Sequence, residues 1–286
     1  MRADSINELL AWTPPHIVPV IGGGLLMPEN RMFMYGRYKS WKCLAGDTLV
    51  LKPGKGLVPI SSIKPKDLVY TTSARRWVLD TATTDVDLAV RITTHRGFSI
   101  VCSVDHKFLT STGEYKNPSD LSSNDSLQLV FGTRVFGTIK VAAPYILGLL
   151  VGDGSFATDG YIGFTNQSLE LCNTISTLFS SSSIKRRKNH YQMNMYGYRD
   201  IANQLWGIPT TPLLSHDKCI PTCILQAGEK DQLEFIRGLF DTDGFMDYDK
   251  GIVGWDMSSL ILLQQLQLIL ANLGIMTRII PREHGQ

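Results

Sequence analysis

The chain has 286 residues, 43% of them hydrophobic and 19% charged, enough apolar material for a sizeable core and a soft expectation of about two domains. A formal net charge of +2 does not argue for a nucleic-acid partner, and the absence of a long apolar run or a signal peptide sets aside membrane and secreted classes, leaving a cytoplasmic expectation. Cys43, Cys102, Cys172, Cys219 and Cys223 form no regularly spaced framework, which points to a reducing compartment.

Residues 1–42 are too short for a domain. Pro14-Pro15 precede an apolar strand at Val18–Ile21, a Gly22-Gly23-Gly24 turn follows, and Met32–Tyr35 reads as a second strand. Gly36 and Lys42 then stand in the register of a phosphate-binding loop, in which backbone N–H groups cradle phosphates and the lysine pairs with them. Trp41 replaces the second glycine, and Cys43 occupies the place of the hydroxyl residue. The chain then turns at Gly46-Asp47 and continues as a strand, where a working loop needs a helix under the phosphates. The pattern is that of a P-loop cut at the Lys42–Cys43 bond.

Cys43-Leu44-Ala45-Gly46-Asp47-Thr48 resembles the N-terminal splicing motif of inteins at every position. The resemblance implies that the Cys43 thiol attacks the Lys42 carbonyl and turns the amide into a thioester, an N-to-S acyl shift. Excision would rejoin Lys42 to a following Ser or Thr, so Gly36 and Lys42 would bind ATP only in the spliced host, which is similar to helicase- or recombinase-type ATPases. A lone cysteine is more often a small buried hydrophobe, but the motif inside a broken P-loop outweighs that reading.

From Cys43 to about Val135, short alternating runs at Thr48–Leu51, Leu57–Ile60, Asp67–Thr71, Leu88–Thr93, Phe98–Cys102 and Ser126–Val130 are separated by turn residues and predict an all-β domain. Ser103-Val104-Asp105-His106 resembles the family's second splicing motif, with Ser for the usual Thr. That resemblance gives His106 contact with the scissile amide, where an imidazole can protonate the leaving nitrogen, and gives Ser103 a supporting role.

After Ile139 the pattern changes to helix. Ala142–Gly154 carries Gly148 and Gly152 on one face and ends in Asp153-Gly154; Glu234–Gly244 repeats the plan with Gly238, Thr242 and Asp243-Gly244. The segment 163–168 is echoed at 254–259, each followed by an apolar helix. Small residues on matching faces predict two closely packed helices that bring Asp153 and Asp243 together. Two carboxylates at helix C-termini repel each other and the helix dipoles, a conflict that a hard divalent cation such as Mg2+ removes. The pair resembles the LAGLIDADG homing endonucleases, which implies metal-assisted phosphodiester hydrolysis by Asp153 and Asp243 on double-stranded DNA, the intein-less host allele. Val151 replaces the first acid of the first motif. Lys185, Arg186, Arg187 and Lys188, followed by Tyr191-x-Met193-x-Met195, read as a strand pair with a basic turn facing DNA, although a solvated loop explains those charges nearly as well. Cys219 and Cys223 lack a second pair, so zinc is not expected.

The expected architecture is multidomain. A host segment (1–42) is followed by an all-β, Hint-like splicing domain (43–138). An α+β LAGLIDADG endonuclease (139–286) completes it, with αββαββα repeats of which the second is incomplete. The protein is expected to act as a monomer of prokaryotic or phage origin. By the offset of the repeat, Gln286 falls near the counterpart of Met195, and the closing splicing segment of the family is not reached. A truncated reading frame and the N-terminal half of a split intein with a separate C-terminal partner both fit. A plain P-loop ATPase or helicase fragment is the alternative from another class.

Overall fold

The computed structural model describes residues 43–71, 75–83, 85, 88–156, 160–179 and 183–281; the expected strands at Val18–Ile21 and Met32–Tyr35, the loop residues Gly36 and Lys42, and Gln286 lie outside the described residues. Two compact units emerge: Phe136–Leu266 forms one, and the described residues up to Val135, together with those from Gln267 onward, form the other.

The second of these is built from β1 (Leu49–Lys52), β2 (Gly56–Pro59), β3 (Leu68–Tyr70), β4 (Arg75–Trp77), β5 (Ala89–Thr93), β6 (Ser99–Ser103), β7 (Phe108–Leu109) and β8 (Tyr115–Lys116). Consecutive strands pair antiparallel, β1 with β2 through to β7 with β8. Val50, Val58 and Ile63 form a buried cluster, closed over by Ile60, Val69 and Val78. The expected strands appear within a few residues of their predicted bounds, except Ser126–Val130. There, Leu127 makes one isolated bridge to Thr110. The residues that follow bond elsewhere: Gly132 N–H and Arg134 N–H donate to the carbonyls of Ala271 and Asn272. The β4 strand was not expected, because Arg75-Arg76-Trp77 offers no buried alternation.

Asn272 explains why residues from Gln267 onward belong with this unit. Its side-chain Oδ1 accepts from Val135 N–H at 2.9 Å and from the Thr133 hydroxyl at 2.8 Å, while Nδ2 donates to the Val135 carbonyl at 2.9 Å. The amide thereby stands in for a neighbouring strand. Gln267 Nε2 and Ile279 N–H both donate to the Arg96 carbonyl, at 2.9 and 3.0 Å.

The other unit runs α1 (Pro144–Asp153), β9 (Gly154–Ser155), β10 (Tyr161–Asn166), α2 (Leu169–Ser176), β11 (Ser183–Arg186), β12 (Tyr191–Tyr196) and α3 (Arg199–Trp206). After α4 (Thr222–Leu225) the plan starts again with α5 (Glu229–Asp243), β13 (Gly244–Asp247), β14 (Ile252–Trp255) and the first half of α6 (Leu260–Leu273), whose residues from Gln267 count with the β unit. This is an α+β arrangement, and the compact boundary lies at Phe136 because Gly137 and Ile139 bond to the carbonyls of Ala227 and Gln226. The first sheet has the order β11-β12-β10-β9 and is antiparallel throughout. Ile162 pairs with Met195 and Phe164 with Met193, and all four are completely buried. Tyr161, Thr165, Gln192, Asn194 and Tyr196 therefore occupy the opposite, open face, as strand alternation requires.

The internal repeat extends to the helix caps. Ser168 Oγ accepts from Leu171 N–H before α2, and Ser259 Oγ accepts from Leu262 N–H before α6. Both are serine N-caps that satisfy an otherwise orphaned donor.

Candidate functional site

Two groups of residues carry chemistry, one in each unit. In the β unit, the segment that opens at Cys43 lies antiparallel along β6: Leu44 bridges Cys102, and Ala45 N–H donates to the Val101 carbonyl at 2.9 Å. This register sets Cys43 opposite Ser103. Ser103 N–H donates to the Cys43 carbonyl at 2.9 Å, and Cys43 N–H donates to Ser103 Oγ at 3.1 Å. The nitrogen held by Ser103 is the amide nitrogen of the Lys42–Cys43 bond itself. His106 follows in the turn after β6, its N–H bonded to the Ser103 carbonyl at 3.1 Å. It is 3% exposed, with its ring 5.1 Å from that of Phe108. One short segment thus fixes Cys43, Ser103 and His106. Burial holds the Cys43 thiol above its ordinary value, and the negative charge of Asp105 adds to that. The thiol is kept protonated, so a base or a rise in pH is needed to make it a nucleophile.

In the α+β unit, the site is built on the crossing of α1 and α5. A Cβ on Gly148 would lie 2.2 Å from the Phe235 carbonyl oxygen, and one on Gly238 would lie 2.1 Å from that of Tyr145. The two contacts are reciprocal under the repeat, and the backbones touch where no side chain fits. Near the C-terminal ends, a Cβ on Gly152 would meet Thr242 Oγ1 at 2.0 Å and Asp243 Oδ2 at 3.0 Å. Asp153 and Asp243, the last residues of α1 and α5, are thereby brought into electrostatic range of each other.

Their environment is unfavourable for charge. Burial raises Asp153, offset in part by a hydrogen bond from Asn166 Nδ2 at 2.5 Å and by the Lys218 cation. Burial, then the charge of Asp153, lifts Asp243 to about 6; Lys218 works against this and Asp256 adds to it. Lys218 had no signal in the sequence, since it stands alone between a short 3-10 turn and α4. In the fold it is 6% exposed, and Nζ donates to the carbonyls of Val151, Gly152 and Gly154 at 2.8, 2.6 and 2.7 Å. It caps the negative end of α1, and burial brings it down to about 8 against the pull of Asp243 and Asp153.

Among the described residues no group of three or more His, Cys, Asp or Glu side chains converges on one point. The residues still fit a hard divalent ion: two repelling, half-buried carboxylates suit Mg2+, which keeps several waters and takes one or two carboxylates plus phosphate oxygens. Asp153 and Asp243 are the side chains that would hold it, while the nearby carbonyls are already engaged by Lys218.

The four basic residues expected at the DNA do not act as one cluster. Lys185 pairs with Gln192 and lies on the open face of the sheet; Arg186 pairs with Tyr191, one residue out of phase, on the side that carries Ile184 and Met193. Arg187 and Lys188 lie in the turn, and Arg187 reaches Gln192. The open face adds Thr165, Gln192, Asn194 and the stacked pair Tyr161–Tyr196, with rings 5.1 Å apart. Strand alternation could have identified these polar residues once β10 and β12 were paired.

Residues 230–286 match the family model described as LAGLIDADG-like domain. The chain is similar to the replicative DNA helicase DnaB of Rhodothermus marinus, with 27% identity over 85% of this chain and 29% of that protein. It is also similar to the replicative DNA helicase DnaB of Nostoc sp., with 26% identity over 90% of this chain and 33% of that protein. The chain therefore spans about a third of the length of these relatives. A crystal structure of the gp41-1 intein is 30% identical over 29% of this chain and 63% of its own, at a TM-score of 0.27.

Proposed function

We propose, starting from an intein with a LAGLIDADG-like domain in a helicase-type chain, that this protein carries two activities. The first is protein splicing begun at Cys43; the second is metal-dependent, site-specific cleavage of double-stranded DNA by Asp153 and Asp243. The observation that carries the first is the reciprocal pair of hydrogen bonds between Cys43 and Ser103. Ser103 orients the amide plane of the bond to be broken, and the acyl group of Lys42 passes from the Cys43 nitrogen to its sulfur. The Cys43 thiol gives up its proton to solvent hydroxide at mildly alkaline pH, and the sulfur bonds to the carbonyl carbon as the C–N bond breaks. The leaving nitrogen takes up a proton from the buried imidazole of His106.

For the second activity, Asp153 and Asp243 would hold Mg2+, which supplies a polarised phosphate and an activated water when bound. Asn166 orients Asp153, and Lys218 keeps the carbonyl end of α1 from opposing the negative charge of the phosphate. The open sheet face supplies polar and basic contacts to the duplex. One chain provides both motif helices, which supports action as a monomer, and no helix among the described residues is long and apolar enough to cross a membrane. A cytoplasmic location, and ATP binding by the rejoined host loop, complete the reading.

The test is thiol-induced cleavage of the full chain at Lys42–Cys43, read by mass spectrometry. Wild-type protein is expected to release residues 1–42 on addition of a thiol at mildly alkaline pH. Cys43→Ala abolishes release, and Ser103→Ala slows it about tenfold, equivalent to one hydrogen bond of roughly 1.4 kcal/mol. Ser103→Thr restores the rate. Release that survives Cys43→Ala sinks the splicing proposal.

A further inference from the structure

Arg187 and Gln192 stand at the turn end of the open face of the first sheet. Lys185 pairs with Gln192 across β11 and β12, so alternation puts the next odd residue, Arg187, on the same side. Arg187 N–H closes the turn on the His190 carbonyl at 2.8 Å. Its guanidinium donates twice to one atom: Nε and Nη2 reach Gln192 Oε1 at 3.1 and 3.0 Å. Arg187 is exposed and Gln192 half-buried, so the pair faces solvent on a supported base. The contact consumes one side of the guanidinium fork. Nη1 and the outer hydrogen of Nη2 point away from Gln192.

The consequence for recognition follows from donor and acceptor counting. A glutamine alone offers a donor and an acceptor, the complement of adenine N7 and N6 in the major groove; an arginine alone offers two donors, the complement of guanine N7 and O6. Here the glutamine acceptor is occupied, so the pair presents donors only. The side-on contact also fixes the plane of the guanidinium before any ligand arrives, which reduces the freedom lost on binding. We infer that Arg187, buttressed by Gln192, is a guanine reader on the DNA-facing sheet, with Gln192 as the positioning residue. This rests on the DNA-binding function proposed above.

The test is selection of duplexes from a randomised DNA library by the full chain in low salt, followed by sequencing. Wild-type protein is expected to enrich a site with a guanine, favoured roughly tenfold or more over other bases at one position. Arg187→Ala frees Gln192 Oε1; the guanine preference is lost and adenine replaces it, while the rest of the site persists. Gln192→Met keeps guanine with weaker discrimination. If Arg187→Ala weakens retention of all duplexes equally and leaves the selected sequence unchanged, Arg187 is a phosphate contact and the inference is overturned. Retention of DNA without enrichment of any sequence also overturns it and leaves DNA binding standing. No retention by the wild-type chain overturns the DNA-binding function as well.

Discussion

Asp243 is a residue whose charge the fold works against. Its carboxyl sits at about 6, above the ordinary carboxylate value of 3.8, because of burial and then the charge of Asp153. The raised value means that the native state holds the proton more tightly than the unfolded chain does. Folding is therefore favoured at acid pH, and the group becomes a net cost as pH rises through about 4 to 6. Asp243→Asn is expected to raise the thermal midpoint at pH 7, by an effect on the order of 1 kcal/mol once solvent screening is allowed for, and to change little at pH 4. Thermal scans at the two pH values decide it; a destabilised variant at pH 7 would mean that the carboxylate is better compensated than this geometry allows. The candidate residues were legible in the sequence because each sat in a spaced motif: Cys43 in a hexapeptide, Ser103 and His106 three apart, Asp153 and Asp243 at the ends of repeated helices. Lys218 was not, since its role comes from three carbonyls more than sixty residues away in sequence.

At the scale of elements, the crossing of α1 and α5 depends on missing side chains. Gly148→Ala must move a backbone oxygen now 2.2 Å from the new carbon, and Gly238→Ala meets the same obstacle at 2.1 Å. Such overpacking costs about 1–3 kcal/mol, which lowers the thermal midpoint by about 2–12 °C for a unit of this size. Either variant should also reduce DNA cleavage by displacing Asp153 from Asp243, and equal losses in the two would reflect the reciprocity of the contact. A variant with unchanged midpoint and activity would show that the helices can separate freely. Helical spacing exposed this crossing in advance because a four-residue period of small residues has few other uses. Strands were legible where one face is buried, as at Val50 and Val58. They were misread where pairing is too short to make a ladder: 126–130 pairs with 109–111 through a single bridge, and the residues that follow, Gly132 and Arg134, bond to the end of α6.

For the whole molecule, the two candidate sites belong to different compact units, Cys43 with Ser103 and His106 in one, Asp153 with Asp243 and Lys218 in the other. The activities should therefore be separable. Asp153→Asn is expected to abolish DNA cleavage and leave thiol-induced release at Cys43 unchanged, while Cys43→Ala does the reverse; gel analysis of the same preparations reads both. Loss of release at Cys43 in the aspartate variant would mean that the sites are coupled. The division into a β part and an α+β part was legible from the change of period near Ile139. The return of residues 267 onward to the β unit was not, because Asn272 makes its contacts through a side-chain amide that leaves no periodic trace.

The reciprocity of the glycine contacts does not extend to the residues around them. Under the repeat, Tyr145 corresponds to Phe235 and Val151 to Asp241. Tyr145 donates its hydroxyl proton to Asp241 at 2.7 Å on the solvent side, whereas Phe235 and Val151 are both buried. Two copies of one identical helix could not hold both arrangements, since each change would appear on both sides at once. Because both helices belong to one chain, Val151 and Asp241 are free to differ, and the crossing carries a buried apolar residue at one position and a solvent-facing hydrogen bond at its counterpart.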